Sequence, residues 1–244
     1  MNFDYSEEQQ LLADSVRRFL QEKYQFEERK KIIAGEGWSA RVWASFAEMG
    51  LMGLPLPAEH GGFGGGAVDL MGVMEAFGEA LVVEPYLPTV MAARLIARGG
   101  SDAQKQALLP AVAQGRLKLA VAHDDTGRAV LGAPVADKVV ATKAGGLFLV
   151  DARKAAMTSF RTLDNMLAAD VAFAGVPAEP LGGGAAALEE VVDFATALVC
   201  AEAVGAMKFA CDTTLEYLKT RKQFGVPVGT FQALQHRIVD MYIS

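Results

Sequence analysis

Arg221, Lys222, Gln223, Phe224 and Gly225, followed by Pro227, Gly229, Phe231, Gln232, Gln235 and His236, put a guanidinium, several amides and two aromatic rings within sixteen residues. Guanidinium grips phosphate through paired N–H donors, and amides both donate and accept, so such a corner suits a phosphate joined to a polar ring system. Phe231, Leu234, Ile238 and Met241 recur with a helical period. They predict a short helix that buries one face and leaves Gln232, Gln235 and His236 projecting elsewhere. The same residues allow a plainer reading: Arg221 complements a helix dipole and Phe231 is ordinary core.

These groups need elements to hold them. Ser6-Glu7-Glu8-Gln9 has the capping-box form, with Leu12, Val16, Phe19 and Leu20 following on one face. Trp38 precedes an N-cap at Ser39, with Trp43 spaced to staple the new helix, and Ser101 to Gln104 forms a second capping box. Pro55 to Gly66 is a loop with five glycines, either a place where a ligand nears the backbone or a connector. From about Leu117, four short β-branched or alternating runs (LKLAVAH, DKVVATKA, LFLVDA and LAADVAFAGV) predict about four strands. Gly182-Gly183-Gly184 then opens a helical pattern from Ala185 to Arg221, on the order of 50 Å long. A last helix is expected to begin near Phe231.

The 244 residues suffice for a sizeable core in one or two domains. They are 52% hydrophobic with mean hydropathy +0.22, and no charge-free apolar run is expected to span a bilayer. The start, MNFDYSEEQQ, lacks a basic n-region and an apolar h-region, so cytoplasmic residence is expected. A net charge of −6 with mixed signs argues against nucleic-acid binding. His60, His123 and His236 lack ligand spacing, so no metal site is expected. Cys200 and Cys211 fall eleven apart on one helix and read as packing residues rather than a disulfide.

The run RKQFGVPVGTFQALQHRIVDM resembles the helical signature of the FAD-dependent acyl-CoA dehydrogenases. PAEHGGFGG, GSDAQKQALLPAVAQG and AEAVGAM resemble the same family, in the same order. The resemblance implies a mainly α fold with a small β domain: a helical domain over 1–116, a β domain over 117–181, and over 182–244 the first part of a carboxy-terminal helical bundle. EPYLPT and LGAPVADKVV resemble a bacterial branch, with pimeloyl-type and steroid side-chain enzymes, whose members often act as one subunit of a mixed pair. Two breaks stand out. HDDTGRA runs directly into VLGAPVAD, where the family continues through further strands, so residues are expected to be absent at Ala129-Val130 unless the junction is a genuine shortcut. Family members also continue for several helices where this sequence stops at DMYIS, so the chain is expected to be part of a larger protein.

The activity implied is α,β-dehydrogenation of an acyl-CoA thioester. A carboxylate removes the α proton, the β hydride passes to flavin N5, and the implied electron acceptor is one such as an electron-transfer flavoprotein, with an oxidase using oxygen left as the alternative. By the same resemblance, His123, Asp124, Asp125 and Thr126 border the flavin ring together with Val130 and Leu131. Arg221 and Gln223 meet the FAD pyrophosphate of a neighbouring subunit, with Phe231 and Gln232 completing that surface. Arg128 and Asp193 fall at substrate positions. Some relatives carry the catalytic glutamate where this chain has Ala195, which cannot take a proton. The base is therefore expected outside this chain; within it the sharpest acid is Glu202, which shares a helical face with Leu198 and Phe209. Burial there would raise its pKa toward the range of a base. The partners implied are an acyl-CoA and a second subunit, identical or related, and the alternative is a non-catalytic subunit that completes a partner's flavin site.

Overall fold

The computed structural model describes residues 4–243; Met1, Asn2 and Phe3 of the amino-terminal segment and Ser244 lie outside the described residues. Six α-helices come first: α1 (Glu7–Lys23), α2 (Phe26–Ala34), α3 (Ala40–Glu48), α4 (Ala67–Ala80), α5 (Tyr86–Gly99) and α6 (Asp102–Ala113). Both expected capping boxes are present, Ser6 with Gln9 and Ser101 with Gln104. The Ser39 hydroxyl accepts from the Val42 N–H to start α3. Both tryptophans pack with the helical core: Trp43, buried, donates to the Gly115 carbonyl at 2.8 Å, and the Lys118 ammonium lies over the Trp38 ring. The glycine loop is not a slack connector. It folds back on its own chain, with Phe63 N–H on Gly53 O, Gly64 N–H on Leu56 O and Gly65 N–H on Leu54 O. A Cβ at Gly62 would overlap the Leu56 carbonyl, which is the physical need for glycine there.

Seven strands follow rather than four: β1 (Leu119–Ala122), β2 (Val130–Leu131), β3 (Lys138–Lys143), β4 (Gly146–Asp151), β5 (Ala156–Arg161), β6 (Leu167–Ala172) and β7 (Ala178–Leu181). They form two small sheets, β1-β3-β4-β7 and β2-β6-β5. β1 runs parallel to β3, and every other pair is antiparallel. The first sheet is covered on both faces. Leu119, Val121, Val140, Leu147 and Leu149 pack with α5 and α6 residues, while Ala120, Ala122, Val139, Ala141 and Val150 pack with Val130, Ala169 and Val171 of the second sheet. Two buried faces explain why β1 reads as an unbroken apolar run.

The remainder is α7 (Gly184–Thr220), a tight hairpin of β8 (Lys222–Gln223) and β9 (Val226–Pro227), and α8 (Gln232–Ile243). α7 crosses α4 backbone to backbone. A Cβ on Gly78 would overlap the Glu202 carbonyl, and one on Gly205 would overlap the Glu75 carbonyl, so paired glycines set the approach. A second glycine contact pins the start of α7, where Gly182 N–H donates to Gly99 O at 2.6 Å. An 18-residue window of α7 has mean hydropathy 1.5, so this one helix is, by length and composition, apolar enough to cross a membrane. The expectation concerned charge-free runs, and this helix is interrupted by Glu189, Glu190, Asp193, Glu202 and Lys208. Its crossing with α4, and Phe194, Leu198 and Ala201 in the helical core, make it a helix of a bundle.

Candidate active-site cleft and its two chambers

Thr89, fully buried on α5, donates its hydroxyl to Leu119 O and accepts the Leu119 N–H, so the helix holds the first residue of β1 by both backbone groups. β1 then delivers His123 to a cleft between α5 and α7. This outer chamber encloses about 340 Å³ between Leu87, Pro88 and Met91 of α5, Val121 and His123, Ala129 and Leu131, and one stripe of α7. Val192, Ala195, Thr196, Val199 and Cys200 make that stripe, at the spacing of a helical face. None of the residues lining the outer chamber is a carboxylate.

The loop after His123 is fastened by its own acids. Asp124 accepts the Thr126 N–H at 2.9 Å and the Thr126 hydroxyl at 2.6 Å, and those bonds hold its carboxyl below the usual range. Asp125 accepts the Ala144 N–H, Asp170 accepts the Ala129 N–H, and the Val171 N–H donates to Gly127 O. Ala129 has φ +50°, a left-handed conformation unusual for a residue with a side chain, at the junction where the sequence reads as cut short. The structure therefore separates the expected ring-side residues. His123 and Leu131 face the chamber, Val130 is buried between the sheets, and Asp124, Asp125, Thr126 and Arg128 are exposed, with the two acids and Thr126 stitching the loop.

A second chamber, of about 310 Å³, shares the walls Leu87, Pro88, Leu131 and Val199 and runs inward beneath α4. Here Glu202 lines the wall, with its carboxyl pushed up to about 7 by burial and then by the charge of Asp164. The anticipated neighbours divide: Leu198 is buried, whereas Phe209 is exposed. Glu84, at the start of α5, lines the same chamber and is also pushed up to about 7 by burial, against the opposing pull of the Tyr24 hydroxyl and nearby N–H groups. Glu84 lies in the EPYLPT segment with no local sign of its burial, which depends on residues around α1, α3 and α4. Asp193, expected to line the substrate site, is exposed and borders neither chamber. Cys200 and Cys211 are free thiols, as expected, but Cys200 is exposed on the outer chamber rather than packed.

The elbow after α7 differs most from expectation. Phe224 and Gly225, both with positive φ, make the two-residue turn of the hairpin, and the Val228 N–H donates to Arg221 O. Phe224 is 91% exposed and meets Phe231 edge to face at 6.1 Å. No residue of α8 is buried, so Leu234, Ile238 and Met241 do not form the expected buried face within this chain. The Gln235 amide does not project: it bonds Gly229 O at 2.9 Å. Arg221, Gln223 and Gln232 are exposed. Along α7 the elbow lies on the order of 35 Å from the outer chamber, so one chain does not bring the two groups together.

The acyl-CoA dehydrogenase N-terminal domain model matches residues 6–116, and the C-terminal domain model matches residues 182–244. The acyl-CoA dehydrogenase IpdE2 of Mycobacterium tuberculosis is 33% identical over 88% of this chain and 65% of its own length. IpdE2 of Mycolicibacterium smegmatis is 29% identical over 98% of this chain and 73% of its own. The chain thus spans about two thirds to three quarters of these relatives. Alignment to YngJ of Bacillus subtilis runs over 293 positions, more than this chain has residues, so that relative carries segments absent here. Among solved structures, the Tcur3481-Tcur3483 steroid ACAD G363A variant superposes with a TM-score of 0.86 at 30% identity, covering 97% of this chain and 73% of that one. The ChsE4-ChsE5 complex from M. tuberculosis gives 0.89 at 26% identity, covering 100% and 75%. With one family's N- and C-terminal domain models matched in order over the helical start and the long α7 onward, and a fold that superposes on these relatives, the chain belongs to the acyl-CoA dehydrogenase family.

Proposed function

We propose that this chain is a subunit of an FAD-dependent dehydrogenase that forms the α,β double bond of an acyl-CoA thioester. The observation that carries this reading is the pair of joined chambers between α5 and α7, with the end of β1 at the mouth and apolar walls leading inward. Such a cleft takes an acyl chain away from water and holds it against a fixed edge.

The residues fit the cofactor. Arg221, Gln223 and Gln232 are exposed donors at an elbow that also presents Phe224, a set suited to a pyrophosphate bridge. His123 and Leu131 give the cleft a polar and an apolar edge beside which a ring can lie. Because elbow and cleft lie far apart on one chain, the elbow would serve the flavin of a neighbouring subunit. FAD, when bound, supplies the hydride acceptor. The chain's own share is to seat the acyl group between Met91 and Val199 and to exclude water; the α proton must go to a carboxylate that the outer chamber does not provide.

That missing carboxylate favours a second reading, in which this chain completes a partner's site and the partner supplies the base. The structural likeness to a two-protein complex, ChsE4-ChsE5, supports it. Anaerobic titration separates the two. Protein purified alone and with a related partner should be yellow and bleach with an acyl-CoA; bleaching only in the mixed complex selects the second reading, and no flavin in either defeats both. Arg221→Ala with Gln223→Ala should lower FAD retention by about tenfold or more, read from absorbance after gel filtration.

A further inference from the structure

Arg29 of α2 is 6% exposed, and the bonds it makes go to backbone rather than to a carboxylate: Nε donates to Leu81 O and a terminal nitrogen to Asp164 O, each at 2.6 Å. Leu81 caps α4 in a left-handed conformation, φ +52°, and Asp164 lies in the turn between β5 and β6. Both residues line the inner chamber, and neither borders the outer one. Both are also exposed, so they form lips where the inner chamber meets water. The turn is braced a second time against α2, because the Arg161 guanidinium donates to Ile33 O at 2.8 Å and to Asn165 O at 3.3 Å. Within the turn, the Asp164 carboxylate accepts from the Thr162 hydroxyl and the Met166 N–H. α2 thus holds the end of a helix and a turn of the β domain against each other, although no residue of α2 lines either chamber. Most of the inner wall is apolar, with Met74, Phe77, Val82 and Met166 among its side chains.

We propose that Arg29 is a positioning residue that ties these two lips together from behind and closes the end of the acyl cleft, so that it sets the size of acyl group the chain accepts. This rests on the dehydrogenase reading above and names its substrate class. At about 30 Å³ for each water-sized group, chambers of about 340 and 310 Å³ together take roughly twenty such groups. With the thioester seated at the mouth, the cleft holds an apolar acyl group of roughly twelve to sixteen carbons and stops a longer one at the lips. Lysine does not replace Arg29 in this role, because one ammonium on a flexible stem lacks the planar fork that reaches both carbonyls.

The test is calorimetric binding to the FAD-loaded protein, or to its complex with the partner subunit. The probes are hexanoyl-, dodecanoyl-, hexadecanoyl- and eicosanoyl-CoA, each below the concentration at which it forms micelles. Dodecanoyl-CoA should bind about tenfold tighter than hexanoyl-CoA, because more methylenes leave water. Eicosanoyl-CoA should bind about tenfold weaker than hexadecanoyl-CoA, because surplus methylenes press on a closed wall. Arg29→Lys and Arg29→Met should bring that second ratio to about one, a change in the length profile that a general loss of stability does not produce. Leu81→Gly trims one lip and suits its left-handed backbone, so it should shift the ratio in the same way with Arg29 in place, and it decides the matter if neither arginine variant folds. Equal weakening of all four esters in the arginine variants overturns the proposal, as does affinity in the unmodified protein that climbs without a break to eicosanoyl-CoA or peaks at hexanoyl-CoA. Each of those results leaves the dehydrogenase reading intact. If no CoA ester binds, that reading fails as well.

Discussion

Glu84 and Glu202 are the residues at which burial works against charge. Each has a carboxyl raised from its ordinary 4.5 to about 7, in both cases chiefly by burial. The side chains that act on them are Tyr24 on Glu84 and Asp164 on Glu202, and neither is a cation that would favour the charged form. Between about 4.5 and 7 the folded chain therefore keeps protons that the unfolded chain releases. Stability from this source is complete below about 4.5, falls as pH rises to about 7, and is flat above it. For Glu84 the ceiling is on the order of 3 kcal/mol. Glu202 contributes less because water reaches part of it. Urea midpoints should consequently drop from pH 5 to pH 7.5, and Glu84→Gln should flatten most of the drop while raising stability at the upper end. A wild-type midpoint that climbs over this interval would contradict the assignment.

Among elements, the α4–α7 crossing decides whether the chambers exist, since both helices line the inner one. Gly78 and Gly205 allow two backbones to touch, and a single methyl forces them apart. Gly205→Ala should cost about 1–3 kcal/mol by chemical denaturation, the usual penalty for overpacking, and should weaken acyl-CoA binding even though the residue lines neither chamber. If stability and affinity are both unchanged, the close crossing is not what shapes the cleft. How much of this was legible in the sequence follows from where each signal resides. Caps and long periodicities are local, so Ser6, Ser39, Ser101 and the span of α7 were readable, as was the acidic interruption at Glu202. β2, β5 and β7 were missed because β2 is only two residues long, β5 is largely exposed and polar, and β7 contains Pro180, so none shows the alternation of a half-buried strand. The Gly78–Gly205 contact joins residues more than a hundred positions apart, and only tertiary structure reveals why they must be glycine.

At the scale of the whole molecule, apolar side chains are distributed unevenly. The amino-terminal helices and the sheets bury theirs, whereas Val204, Met207, Phe209, Leu215 and Tyr217 on the outer half of α7, and Val239, Met241, Tyr242 and Ile243 on α8, are exposed. These side chains lie on the two helices that flank the elbow carrying Arg221 and Gln223, and apolar groups left exposed beside a polar elbow are a common mark of a contact between chains. One association would account for both features: a second family chain covers the apolar face and brings its own cleft to this chain's elbow. The helical period of α8, which found no buried face within one chain, would then be satisfied between chains. The protein should accordingly sediment as a dimer or larger assembly, alone or with a related subunit. Replacing Met207 and Phe209 together by aspartate should shift it toward monomer and release FAD in parallel, because the same contact would hold the partner and complete the cofactor site. Dissociation without flavin loss would show that the elbow does not reach a neighbouring site. A double variant that stays assembled would place the subunit contact elsewhere on the chain.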